Sequence, residues 1–172
     1  MYAPQFRDLI IIPSLEAARM HSPAAAALVL GTAIHESGGF CYLKQGWKKL
    51  SDGRGVARSF YGIEPDTALD LCARIHGGNA LLQRELAAAI WPWHPRPPAP
   101  ATLYREQVTH LLLHDLRFAT IMCRLKYLFV KEPLPEAGDI EGMASYWGRH
   151  YQTQNIAADV AAWARRYREN MQ

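Results

Sequence analysis

Glu36 is the residue of this chain best placed to do acid–base chemistry, because it closes a helix that should not favour a carboxylate there. The stretch SPAAAALVLGTAIHESGG runs from Ser22 to Gly39. Ser22 and Pro23 make an N-cap and a first helical residue. The Ala/Leu/Val run that follows is strongly helical, and Gly38-Gly39 is a natural stop. Glu36 thus falls in the last turn, where the partial negative charge of the helix end opposes a carboxylate by roughly 0.3–1 kcal/mol. Leu28, Val29 and Thr32 make the turns behind it largely apolar. Desolvation and the helix end then push the same way, toward a raised pKa. A carboxyl that keeps its proton near neutrality is what a general acid requires. The bland alternative is a solvated glutamate that happens to end a helix.

Further along, Ser59 to Ala68 reads SFYGIEPDTA, and Ala144-Ser145-Tyr146-Trp147 follows late in the chain. Taken with Glu36-Ser37, these stretches resemble the motifs of the lysozyme-like lytic transglycosylases, in particular a phage and prophage branch. The first motif of that superfamily is a catalytic Glu followed by Ser at a helix end. The second reads roughly GLMQxMPxTA, which Ile63, Pro65, Thr67 and Ala68 match. The third is an Ala-Tyr-Asn group. The resemblance extends from about Leu28 to Thr153. It departs from the pattern in two places: Gly62 stands where the family has Gln, and Trp147 stands where it often has Asn.

The resemblance implies a mainly α fold of lysozyme type with a small β-hairpin. It implies cleavage of the MurNAc–GlcNAc β-1,4 bond of peptidoglycan, with Glu36 as acid and then base. In a transglycosylase the base activates the sugar's own 6-hydroxyl. In a lysozyme it activates water, and a second carboxylate is required; Glu64, inside the second motif, is favoured over Asp52 and Asp66 as that auxiliary group. Ser37, Tyr61, Gly62 and Tyr146 are expected on the substrate side. Loss of the Gln at position 62 leaves a third expectation open, a glycan-binding or structural phage protein with impaired catalysis. A helical interaction protein matching these motifs by chance is a fourth.

Other clusters carry less. Glu106, His110 and His114 share one helix face at i, i+4, i+8. Two such histidines can chelate zinc, but the HExxH glutamate is missing and spacing offers no third ligand, so no metal is expected. His35 points about 100° away from Glu36 on the helix, which argues against a dyad. Trp91, Trp93, Tyr146, Trp147, Tyr151 and Trp163 are aromatic enough to stack on sugars, with Tyr146 favoured by the resemblance, although Trp147 and Trp163 read better as core. Arg54 and Arg58 flank the expected cleft, and Arg165, Arg166 and Arg168 complement the end of the last helix.

The elements that must position Glu36 are mostly helical by periodicity. Helices are expected near Pro4–Ile11, Ser14–Met20, Pro23–Ser37, Pro65–Ile75, Asn79–Ile90, Thr102–Val130, Asp139–Tyr151 and Ile156–Asn170. A strand of the small hairpin is expected at Ser59–Ile63. Trp91 to Ala101 holds five prolines and reads as a loop. At 172 residues the chain forms a single domain large enough to bury its own core. Hydrophobic residues at 49% and charged residues at 20% suit an ordinary globular protein, and the net charge of +3 selects no partner class. Cys41, Cys72 and Cys123 form no CxxC and suggest free thiols. The apolar cluster Leu9–Ile12, interrupted by Pro13, is too short for a signal core, so no targeting segment is expected, and no stretch reaches the roughly 20 apolar residues of a membrane span. No cofactor and no nucleic acid is implied. Peptidoglycan strands are the expected partner, and a virion, holin or secretion machine would have to deliver the protein to the wall.

Overall fold

The computed structural model describes residues 1–44, 57–76, 80–92, 99–152 and 156–172, and the chain is mainly helical. The Asn79 cap, Asp52, Arg54 and Trp93 lie outside the described residues. In chain order the helices are α1 (Ala3–Phe6), a π turn (Arg7–Ile11), α2 (Ile12–Ala17), α3 (Pro23–Glu36), α4 (Pro65–His76) and α5 (Ala80–Ile90). A short 3₁₀ turn (Pro100–Thr102) precedes α6 (Arg105–His114), α7 (Leu116–Leu128), α8 (Ile140–His150) and α9 (Ile156–Asn170).

Helix α3 is the axis of the core. Ser22 caps it from an extended backbone, its Oγ accepting the Ala25 N–H at 3.0 Å, and Pro23 opens the first turn. Ala25 through His35 are all buried. A helix apolar on every face belongs in the middle of a bundle, and α3 packs against α1, the π turn, α7, α8 and α9. Its end is a Schellman turn: Gly39 N–H bonds Ile34 O at 2.8 Å and Gly38 N–H bonds His35 O at 3.2 Å. Gly38 and Gly39 take φ of 63° and 78°, which a side chain would resist.

Two expected boundaries shifted for identifiable reasons. The expected helices on either side of Pro13 join into one helical run. Pro13 has no N–H and its ring crowds the preceding turn. The turn before it widens, with Ile12 N–H reaching back to Arg7 O, and the run continues. The single helix expected over Thr102–Val130 is instead divided at Asp115, whose extended backbone (φ −118°, ψ 100°) ends α6. The same residue caps α7, its carboxylate accepting Phe118 N–H at 2.9 Å. An aspartate side chain can cap the next helix as readily as it can lie on a helix face.

The hairpin expected at Ser59–Ile63 is reduced, among the described residues, to isolated bridges. Arg58 pairs with Ile63 and with Lys44, both antiparallel, and Ser59 to Gly62 form a turn rather than a strand. Ser59 (φ 65°) and Gly62 (φ 61°) are left-handed, which breaks the extended backbone a ladder needs. The aromatic residues that gave this stretch its β-like composition serve packing instead. Phe60, Phe40 and Phe6 form a triangle of edge-on rings with centroids 5.0–5.7 Å apart. That triangle ties the turn and the segment after α3 to the N-terminal helix.

Candidate active site

Glu36 is the point at which the buried helix surfaces: the eleven residues before it are buried and it is partly exposed. The Ser59–Gly62 turn lies directly against its carboxyl. A Cβ placed on Gly62 would come within 2.8 Å of Glu36 Oε2, 3.4 Å of its Cδ and 3.5 Å of its Cβ. Glycine at this position therefore leaves the room the carboxyl fills. A side chain here would have to displace the tip of the Glu36 carboxyl and would sit at a φ of 61°.

The turn is held from beneath. Thr120 Oγ1 donates to Leu116 O, so the Tyr61 hydroxyl is the donor in its 2.7 Å bond to Thr120. The Tyr151 hydroxyl donates to Tyr61 O at 2.7 Å. In the same manner the Tyr127 hydroxyl donates to Thr32 Oγ1 at 2.7 Å, locking α7 to α3. These bonds join buried groups in a low dielectric, where leaving either partner unmade is costly.

The electrostatics set Glu36 apart. Burial pushes its carboxyl up to about 7 from an ordinary 4.5. Lys126 on α7 opposes that shift most, followed by the Trp147 indole on α8; Asp159 adds to it and Arg166 subtracts, both from α9. Trp147 Nε1 is buried with no hydrogen bond of ordinary geometry, and its N–H dipole favours the charged carboxylate. Next to Glu36, burial and the Arg166 charge drive the His35 imidazole down to about 4. Its ring rests on Trp147 with centroids 4.5 Å apart, away from any dyad with Glu36. Arg166 donates to His35 O at 3.0 Å, satisfying a carbonyl at the end of α3. Lys126 is itself pushed below its usual range by burial, with Cys123, Glu36 and Glu64 pulling the other way.

The other expected site residues divide. Glu64 is exposed and faces Lys126. Ser37, Tyr61 and Tyr146 are each fully buried with their hydroxyls already engaged. Ser37 Oγ donates to Ala33 O and accepts Phe40 N–H, both at 2.6 Å, which makes it the cap of α3. Tyr146 donates to Glu132 O at 2.9 Å and packs on His150. All three are buried, so none of these hydroxyls is open to a sugar in this structure. Lys126, Trp147 and Tyr151 escaped assignment to the acid. Trp147 reads as core, and is core, yet its one polar atom turns to Glu36. Lys126 is separated from Glu36 by most of the chain, and no local spacing joins them.

Elsewhere, His110 and His114 on α6 have ring centroids 4.5 Å apart. They border open concavities of about 400 and 330 Å³ that also touch Trp91, Tyr104 and Glu106. Neither concavity reaches Glu36. Among the described residues no group of three or more His, Cys, Asp or Glu is arranged to hold a metal ion. Cys41 is an exposed free thiol, while Cys72 and Cys123 are buried free thiols that burial pushes up to about 12. No helix among the described residues is long and apolar enough to cross a membrane. No family model, curated protein or solved structure matches the chain.

Proposed function

We propose that this chain cleaves the MurNAc–GlcNAc β-1,4 bond of peptidoglycan by lytic transglycosylation, on a lysozyme-like fold, with Glu36 as the single acid and base. The observation that carries the reading is a carboxyl at the exit of a buried helix that keeps its proton up to about pH 7. A group titrating near the working pH serves both as donor and as acceptor within one cycle. Glu36 gives its proton to the glycosidic oxygen as the bond to C1 breaks, and the GlcNAc side leaves as an alcohol. The Glu36 carboxylate then takes the proton of the MurNAc 6-hydroxyl, whose oxygen bonds C1 to close a 1,6-anhydro ring. No water is consumed and Glu36 ends protonated, ready for another cycle.

Glu64, exposed beyond the turn, serves as the auxiliary carboxylate that steadies positive charge on the ring. Gly62 lets the turn lie directly against the Glu36 carboxyl.

Mass spectrometry of muropeptides released from purified sacculi tests the proposal. The expected products end in anhydro-MurNAc and resist borohydride. Glu36→Gln, correctly folded, should lose on the order of 100-fold or more in rate, because an amide has no proton to give. Wild-type lysis by that variant, or no release by the native protein, overturns the proposal. Reducible ends, with Glu64→Gln as inactive as Glu36→Gln, would replace it with a two-carboxylate hydrolase.

A further inference from the structure

We propose that Lys126 is a positioning residue for Glu36, holding the Ser59–Gly62 turn in place through Tyr151 and serving as fixed counter-charge to the carboxylate left once the acid gives up its proton. The inference rests on the reading of Glu36 as acid and base.

A continuous line of contacts carries it. The Lys126 ammonium sits 3.4 Å from the centroid of the Tyr151 ring. Its Nζ also donates to Tyr151 O at 3.4 Å. The ring and the carbonyl of Tyr151 are thus both engaged by one cation, which pins the residue where α8 ends. From there the Tyr151 hydroxyl donates to Tyr61 O at 2.7 Å. Tyr61 precedes Gly62, the residue whose backbone lies against the Glu36 carboxyl. Movement of Tyr151 would be passed to the acid through two bonded residues.

The charge of Lys126 matters as well. Burying a cation is costly unless the site supplies partners. Here the contacts are an aromatic face and a carbonyl, and the charges of Glu36 and Glu64 act on the ammonium through space. The groups that act on Glu36 come from three helices. From α7 come Lys126, Cys123 and Tyr127; Tyr151 follows α8, which brings the Trp147 indole; Asp159 and Arg166 come from α9. The Cys123 thiol is pushed up to about 12, and the phenols of Tyr127 and Tyr151 well above 10, so these stay neutral across the working range. His35, on α3, is neutral above about 4. Of the charged groups, Arg166 is committed to His35 O and Asp159 accepts from Gln152 at 3.4 Å. Lys126 has the largest stabilising effect on the carboxylate among them.

The experiment is a carbon-13 NMR titration of the Glu36 carboxyl in native protein, Lys126→Met, Lys126→Gln and Lys126→Arg, alongside the pH profile of sacculus lysis. In either neutral variant the Glu36 midpoint should rise by about half a pH unit or more. The alkaline limb of lysis should move up with it, because the acid then holds its proton longer. Lys126→Arg should leave both near their native values. Loss of rate at every pH with the limb unmoved would mean that Lys126 is structural only, and would overturn the counter-charge role. Tyr151→Phe keeps the ring under the ammonium and removes the hydroxyl that bonds Tyr61 and also meets the Cys123 thiol. It should lower kcat about 10-fold at an unchanged limb; an unchanged kcat overturns the role of the turn. The NMR midpoints need no peptidoglycan. An unmoved midpoint therefore defeats this inference alone, whereas a fully lytic Glu36→Gln defeats the reading beneath it.

Discussion

Replacing Glu36 by Gln should make the folded protein more stable above neutral pH and should uncover an opposing slope from its neighbour. Glu36 has an ordinary value of 4.5 and a folded value of about 7. Below 4.5 both folded and unfolded chains hold the proton. Between 4.5 and 7 the unfolded chain releases it while the folded one keeps it, so stability is lost as pH rises through that window. At ~1.36 kcal/mol per pH unit the window is worth about 3 kcal/mol, trimmed to about 2–3 by the partial exposure of the side chain. His35 runs the other way. Its folded value lies near 4 against an ordinary 6.5, so stability is lost as pH falls from 6.5 toward 4, by about 3 kcal/mol. The two slopes nearly cancel between 4.5 and 6.5, and the native protein should show an almost flat curve there. Asp8 and Glu132 lie below the usual carboxylate range, the first through Arg7 and the second through His150 and Arg149, and act only at more acidic pH. Urea unfolding of native protein and Glu36→Gln at intervals from pH 4 to 8 isolates the carboxyl, because every other group cancels in the difference. The variant should gain about 2–3 kcal/mol relative to native between pH 4.5 and 8. Its own stability should climb from pH 4 to 6.5 under the control of His35. A difference that stays constant with pH would refute the claim that Glu36 is a desolvated acid.

Three further outcomes follow from the packing. Gly31→Ala would place a Cβ 1.9 Å from the Trp163 ring where α3 meets α9, so it should cost about 1–3 kcal/mol or more in urea unfolding. Adding Trp163→Leu should recover part of that loss. Gly62→Ala adds a Cβ against Glu36 Oε2 at a φ of 61°; it should destabilise by about 1–2 kcal/mol and move the Glu36 NMR midpoint away from about 7. Tyr146→Phe removes a bond to the Glu132 carbonyl, so thermal unfolding should register a loss of about 1 kcal/mol while kcat stays near native.

Much of what positions Glu36 was legible in the chain because it depends on neighbours in sequence. Ser22-Pro23 opens α3 and Gly38-Gly39 closes it through local backbone bonds, which places the glutamate at the helix end without reference to the rest of the molecule. The apolar run from Ala25 to Ile34 was legible as helix, whereas its burial on every side came from the packing of the other helices around it. The proline effects were half legible. Pro13 was a visible obstacle, but whether the chain would break or widen into a π turn depended on what lay to either side. At Ser59–Ile63 the residue types suggested strand, whereas the left-handed backbone at Ser59 and Gly62 and the three-phenylalanine cluster produced a turn. β-preference reflects fit to a packed surface, and here the surface was supplied by Phe6 and Phe40 from distant segments. The surroundings of the acid were decided by tertiary structure alone. Lys126, Trp147 and Arg166 converge on Glu36 from three helices, and the glycine at 62 acquires its meaning only when the turn is laid against the carboxyl. Desolvation and charge act through space, so the proton affinity of Glu36 is a property of how the helices pack.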